Sequence, residues 1–242
     1  MAVEYRELST DDDFDQVSDL QRRVFGFSDL DLVAPPMLRL VARKNPPLGV
    51  LVGAFLNEGA QARMVGFMMG FATFQEKSIY ATLLGVLPEY QEGPYGYRLI
   101  LKFREVCVGL GLESQYGIFD PLAPNLARLY VGGVGHIGIE YVADRLMYRW
   151  DFSSDHTLGK LNRTRAPRGG EVIDTAPQAR PGFLPDAPEV LFEIHEESPV
   201  HREEIRTVFG EYLNVRHYTV VDCLTTRLGG ERRSYYILQK PL

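Results

Sequence analysis

The chain has 242 residues, 45% of them hydrophobic and 24% charged, with a formal net charge of −6. This length allows one or two buried cores, and the acidic balance argues against a nucleic-acid partner. No segment approaches the roughly 18 apolar residues of a membrane span, and the two cysteines, Cys107 and Cys223, are too few for a disulfide framework.

The acidic start MAVEYRELSTDDDF lacks the apolar stretch of a signal peptide. A reduced, cytoplasmic protein is the expectation. VEYREL (3–8) alternates and predicts a first strand. The next segment predicts a helix. Ser9 or Thr10 can cap it, acids fill its first turn, and Phe14, Val17, Leu20 and Val24 recur at helical spacing. PPMLRLVARKN (35–45) predicts a shorter helix entered through prolines. LGVLVGAFL (48–56) and RMVGFMMGFATF (63–74) flank a turn-rich connector and predict a hairpin; SIYATLLGVLP (78–88) predicts a third strand. Glycines inside these strands signal a bulge or a close backbone approach.

A helix is predicted from Pro94 to about Gly109, with Leu99, Ile100, Phe103, Val106, Cys107 and Leu110 on its apolar face. ESQYGIF (113–119) predicts a strand, PLAPNLARLYVGG (121–133) a short helix, and GIEYVADRLMYRWDF (138–152) one long or two short strands. Residues 153–187 are rich in Pro, Gly, Ser, Thr and Arg and read as a linker or surface excursion. EVLFEIH (189–195) predicts a strand. A helix over 198–214 follows, with Ser198 as cap, then strands over 218–228 and 233–239 joined by a turn. The expected organisation is residues 1–152 as one domain, 153–185 as linker, and 186–242 as a β-α-β-β extension.

The stretch GVLPEYQEGPYGYRL (85–99) carries the strongest functional signal. A strand-to-helix turn points backbone N–H groups outward at the helix start, where they and the helix dipole favour an anion. Glycines 93 and 96 allow close approach to the backbone. Gln91-Glu92-Gly93-Pro94-Tyr95-Gly96, in this order of elements, resembles the phosphate loop of the GNAT superfamily of acyl-CoA N-acyltransferases. The resemblance implies an α/β mixed-sheet acyltransferase fold with a C-terminal strand-helix-hairpin extension. It implies that the loop around Gln91, Gly93, Tyr95, Gly96 and Tyr97 holds the coenzyme A pyrophosphate, and that Leu84 to Val86 hydrogen-bonds the pantetheine arm.

FDPLAPNLARLYVGGVG (119–135) and the tail HREEIRTVFGEYLNVRHYTVVDCL…SYYIL are similar to a GNAT subgroup with a C-terminal extension, associated with N-succinylamino acid racemase systems. Three positions depart from the family pattern. Pro94 replaces a glycine and has no N–H to donate. A charge-assisted hydrogen bond contributes roughly 1.5–3 kcal/mol, so its loss weakens binding by about one to two decades. Thr82 stands where that subgroup has a histidine, and Gly117 stands near its tryptophan.

The resemblance implies that Tyr130, on the helix after the fifth strand, protonates the departing thiolate; a packed tyrosine is the alternative. Asp120 either binds a substrate ammonium or caps the following helix. Glu76 and Tyr80 are further cleft candidates, or solvent-facing strand residues. Arg202 and Arg206, four apart on one helix face, can clamp a carboxylate or form a salt-bridged surface with Glu203 and Glu204. GVGHIG (133–138) matches a dinucleotide-binding pattern but follows a helix and precedes a strand, so it reads as a helix stop. HEESPVH (195–201) lacks zinc-helix spacing, and no metal site is expected.

The expected function is N-acylation of a small amine, an amino acid among the candidates, by direct transfer from acetyl-CoA or another acyl-CoA. A catalytically inactive module that binds acyl-CoA or a protein partner is the alternative. The apolar faces and open strands of the tail need burial, which predicts a homodimer joined through residues 186–242.

Overall fold

The computed structural model describes residues 3–58, 61–163, 170–194, 199–228 and 230–241. The chain divides into two compact units, Met1–Gln115 and Tyr116–Leu242. In the first, β1 (Val3–Glu7), β2 (Gly49–Glu58), β3 (Gln61–Ala72) and β4 (Ser78–Val86) form an antiparallel run in chain order. Helices α1 (Asp11–Phe25) and α2 (Pro35–Val41) lie between β1 and β2 in the chain, and α3 (Tyr95–Gly109) follows β4.

The glycines inside β3 mark a close approach. A Cβ on Gly66 would meet Leu99 at 3.0 Å, and one on Gly70 would meet Phe103 at 2.8 Å. Leu99 and Phe103 stand one turn apart on α3, so small residues on β3 let that helix settle onto the sheet.

Helix α1 starts as its sequence requires. Thr10 is the N-cap and forms a capping box with Asp13. Asp13 is 1% exposed. It accepts hydrogen bonds from the Ser9 and Thr10 amides at 2.9 and 3.0 Å, and its two oxygens take the Arg6 guanidinium at 3.0 and 2.7 Å. Burial pushes its carboxyl pKa up, but Arg6 and the amides outweigh that and hold it at about 2. A depressed carboxylate contributes stability that is fully present above its unfolded pKa of about 3.9 and is lost as pH falls through the folded value. The expected contribution is about 2 kcal/mol. Melting curves from pH 6 to pH 2 should therefore fall less steeply for Asp13→Asn, which starts lower; parallel curves would refute this.

The second unit begins within β5 (Ser114–Phe119). It continues with α4 (Pro124–Ala127), a π-helical stretch over 128–134, β6 (Ile137–Val142), β7 (Arg145–Asp151), α5 (Asp155–Leu161), α6 (Gly170–Thr175), β8 (Glu189–Ile194), α7 (Pro199–Phe209), a second π-helical stretch over 210–215, β9 (Thr219–Leu228) and β10 (Glu231–Gln239). Its strands run in the order β5-β7-β6-β9-β10-β8.

Residues 138–152 prove to be two strands, because Ala143 and Asp144 adopt positive φ (48° and 57°) and close a two-residue hairpin. The expected linker, 153–185, carries α5 and α6. Ser154 caps α5 through the Thr157 amide. Val172, Ile173 and Ala176 at α6 pack on Leu191, Val221, Tyr235 and Ile237. On α7, Phe209 meets Phe192 and Tyr236, each with centroids 5.4 Å apart. The Ala179 amide donates to the Leu191 carbonyl (2.8 Å), and the Leu191 amide to the Pro177 carbonyl (2.9 Å), so this segment covers the outer edge of β8. The burial that motivated a homodimer is thus met within the chain. Ser198, expected as a helix cap, and residues 164–169 of the linker lie outside the described residues.

Candidate active site

The first unit supplies the turn between β4 and α3. Strand β4 is bulged: Met69 pairs with Leu83 but Gly70 pairs with Ala81, leaving Thr82 as the extra residue. Thr82 Oγ1 donates to the Met69 carbonyl at 3.2 Å. A bulge bends its strand and increases the local twist. Beyond it, Leu84 and Val86 pair with Met68 and Gly66.

Pro88–Tyr90 form a 3₁₀ turn after the strand. Here the loop differs from the sequence expectation. The Gln91 amide donates to the Pro88 carbonyl (3.3 Å) and the Gly93 amide to the Tyr90 carbonyl (3.1 Å), so both are turned into the loop. The Gln91 side chain donates through Nε2 to the Val86 carbonyl at 3.0 Å. A Cβ on Gly93 would press on the Tyr95 ring at 2.6 Å, so its space is taken by that ring. Tyr95 in turn meets Tyr90 edge-on, with centroids 5.4 Å apart.

The amides of Tyr95, Gly96 and Tyr97, the first three residues of α3, have no partner within the helix. The first helical bond runs from the Arg98 amide to the Pro94 carbonyl at 2.9 Å, and Pro94 as N-cap offers no side-chain acceptor. The first turn of α3 holds no acid, whereas that of α1, also fifteen residues long, holds Asp11, Asp12 and Asp13. Helix α3 thus leaves its N-terminal donors and dipole unmet by its own side chains. Near the turn, Glu89 bridges Arg23 (3.0 Å) and Arg63 (3.2 Å). A cavity of about 340 Å³ lies at the other half of α3, lined by Lys102, Val106 and Leu110 among others, and no residue of the loop between β4 and α3 borders it.

The second unit holds Tyr130 and Asp120. Tyr130 sits in the π-helical stretch, which ends at Gly135 in the left-handed conformation (φ 85°). The GVGHIG stretch is therefore the helix stop expected. A π turn inserts one residue into a helix and often marks a functional position. The Tyr130 ring packs against Phe119 (5.3 Å), His136 (5.0 Å) and Tyr148 (5.4 Å). Burial raises its pKa, so the phenol stays protonated well past its usual range. The side chain is 7% exposed.

His136 was not anticipated as a neighbour of Tyr130. It lies nearly parallel to Tyr148 at 4.2 Å and meets Trp150 at 4.7 Å. Burial depresses its pKa and keeps it neutral. The alternation of Leu146, Tyr148 and Trp150 along β7 was the available sequence signal for this cluster. Gly117 follows from the same packing, because a Cβ there would collide with the Tyr148 hydroxyl.

Asp120 has partners on both oxygens. Oδ1 accepts from the Leu122 amide at 3.0 Å, and Oδ2 takes Arg202 at 2.9 Å with Arg145 at 3.5 Å. Arg206 makes a two-point pair with Asp144, at 3.1 and 2.8 Å, and also pairs with Glu203. Arg206 thus forms the salt bridge to Glu203 that the alternative expects, whereas Arg202 pairs with Asp120 and Glu204 with His201. Glu76 is exposed, and Tyr80 is half-buried with its pKa raised by burial.

The order of elements from β1 to β7 and the bulged β4 before the α3 turn define the GNAT acyltransferase fold, with β8, α7, β9 and β10 as an extension. Similarity to solved structures shows the same fold. The PaiA N-acetyltransferase of Thermoplasma acidophilum in complex with coenzyme A matches at 15% identity and a TM-score of 0.52, over 62% of this chain and 99% of that one. The NatC complex bound to Gag peptide and CoA includes a chain matched at 14% identity and a TM-score of 0.50, over 62% and 99%. No protein-family model and no curated protein matches the sequence.

Proposed function

We propose that the protein transfers an acyl group from acyl-coenzyme A to a small amine by direct attack on the thioester. The observation that carries this reading is the uncapped N-terminus of α3 directly after the bulged β4. Three amides without a helical partner, an acid-free first turn and the neighbouring Arg98 suit a pyrophosphate. Both solved structures of this fold named above hold coenzyme A. The amides of Tyr95, Gly96 and Tyr97 would hold the phosphates. The backbone of Leu84 to Val86 would pair with the pantetheine arm, sharing the Val86 carbonyl with Gln91.

Tyr130, kept protonated by burial, is the proposed donor to the leaving thiolate. An amino acid is the proposed acceptor, and acetyl or succinyl the acyl group. This chemistry needs no metal.

The test is direct. Acetyl-CoA or succinyl-CoA at about 100 times its Kd should stabilise the protein by about 2.7 kcal/mol, read as a rise in melting temperature. Pro94→Gly restores an N–H at the helix start and should tighten binding by about one decade. Thiol release across a panel of amines then separates an enzyme from an inactive binding module, the reading favoured by Pro94 and by the inward-turned Gln91 and Gly93 amides. If calorimetry detects no binding to either form at millimolar coenzyme, the transferase reading is wrong.

A further inference from the structure

The FDPL stretch at 119–122 stands out in the sequence, and the transfer reading leaves Asp120 and Pro121 without a part in the chemistry. Its hydrogen bonds point elsewhere. The turn from Asp120 to Ala123 is held from within by the Leu122 amide on Asp120 Oδ1 (3.0 Å) and the Ala123 amide on the Asp120 carbonyl (3.1 Å). It is held from outside by two residues of the C-terminal extension. Arg202 on α7 donates to Asp120 Oδ2 at 2.9 Å, and the Tyr236 hydroxyl on β10 donates to the Pro121 carbonyl at 2.8 Å. The latter bond is buried, and Tyr236 is 0% exposed.

The same extension grips the segments that follow. A Cβ added on Gly132, in the π-helical stretch that carries Tyr130, would meet the Cys223 carbonyl of β9 at 2.8 Å. Asn214 exchanges two hydrogen bonds with the Tyr141 backbone, at 2.9 and 2.8 Å, and Arg206 closes on Asp144 at the hairpin tip. The Asp120–Ala123 turn, Gly132 of the π-helical stretch and the Asp144 hairpin tip are therefore each tied to residues 200–236.

We propose that Arg202 and Tyr236 are positioning residues for Tyr130: the extension latches the Asp120–Ala123 turn and so sets where the π-helical stretch presents the phenol. Asp120 is then the receiving half of the latch, and its charge is committed to Arg202 rather than to a substrate ammonium. Phe119 ties the two ends together, since its backbone enters the latched turn and its ring packs on Tyr130 at 5.3 Å. Phe119 and Tyr130 are buried, at 4% and 7% exposure, so close packing transmits a shift at the turn to the ring. A misplacement of about 1 Å at a reacting group costs up to roughly 10²-fold in rate.

This inference rests on the transfer reading for its kinetic consequence, but the latch has a readout of its own. Hydrogen–deuterium exchange on the full chain should show faster exchange over residues 120–134 in Arg202→Met and in Tyr236→Phe, with residues 88–98 unchanged. With acetyl-CoA and the responsive amine of the panel, Arg202→Met should lower kcat by roughly 10- to 100-fold while the KM for acetyl-CoA stays within about twofold. Arg202→Lys should recover most of the loss. Arg202→Met combined with Asp120→Asn should cost little more than either alone. Unchanged exchange over 120–134 in both single variants overturns the latch, whatever the activity. Changed exchange with unchanged kcat overturns the positioning of Tyr130. Absence of coenzyme binding by the wild-type chain strikes the transfer reading and with it the kinetic part of the proposal, while the exchange arm still decides the latch.

Discussion

Tyr130→Phe is expected to slow the acyl-transfer step by roughly 10²–10⁴-fold while leaving coenzyme affinity and melting temperature where they were. The substitution removes one oxygen and keeps the ring. Contacts with Phe119, His136 and Tyr148 persist. Few variants separate chemistry from folding so cleanly. Burial raises the phenol pKa above its ordinary value, so the protonated donor form persists as pH rises past 10. The wild-type pH–rate profile should therefore show no alkaline fall assignable to Tyr130 below that pH. If Tyr130→Phe turns over as fast as the wild type with chemistry rate-limiting, the proton comes from water or another side chain.

The second large effect concerns stability. Lys160→Met is expected to cost roughly 3–5 kcal/mol. Lys160 on α5 reaches Asp222 on β9 at 2.5 Å, and the two side chains are only 13% and 7% exposed. The same Asp222 oxygen accepts the Cys223 amide at 2.8 Å. Removing the ammonium leaves a carboxylate enclosed without its counter-charge. The double variant Lys160→Met with Asp222→Leu removes both charges and should recover most of the loss, because the pair gains little over a packed apolar substitute. Urea denaturation of the four proteins in the cycle measures this. A single variant within about 0.5 kcal/mol of the wild type would show that the pair is better solvated than its burial indicates.

That ion pair also shows where reading the sequence stops. Residues 153–187 have the composition of a linker, few large apolar residues among Pro, Gly and Ser. Yet α5 and α6 form there, because Lys160 finds Asp222 62 residues away and Val172, Ile173 and Ala176 find an apolar sheet face. Short helices rarely hold by themselves, and most of their stability comes from the surface they pack on. Nothing local announces such a surface.

The elements governed by neighbours in sequence were legible. The capped start of α1, for which the sequence offers Ser9 or Thr10, the alternation of the strands, the β4-to-α3 turn and the glycine stop at 135 depend on bonds spanning a few residues. The order of those elements is enough for the acyltransferase fold, and the turn is where an anion site is proposed. Which amides of the turn are already bonded within the loop was not legible. Gln91 and Gly93 have the same N–H groups as Tyr95, Gly96 and Tyr97, and only the folded path of the loop turns the first two inward. The role of Asp120 was equally out of reach. An aspartate before Pro-Leu can cap a helix, bind an ammonium or pair with a cation, and its partner Arg202 lies 82 residues further on. The sequence by itself determined the local hydrogen-bonding and the apolar faces. The tertiary structure decided which charges and which amides were already spoken for, because those pairings span long stretches of chain and form only when the strands and helices have docked.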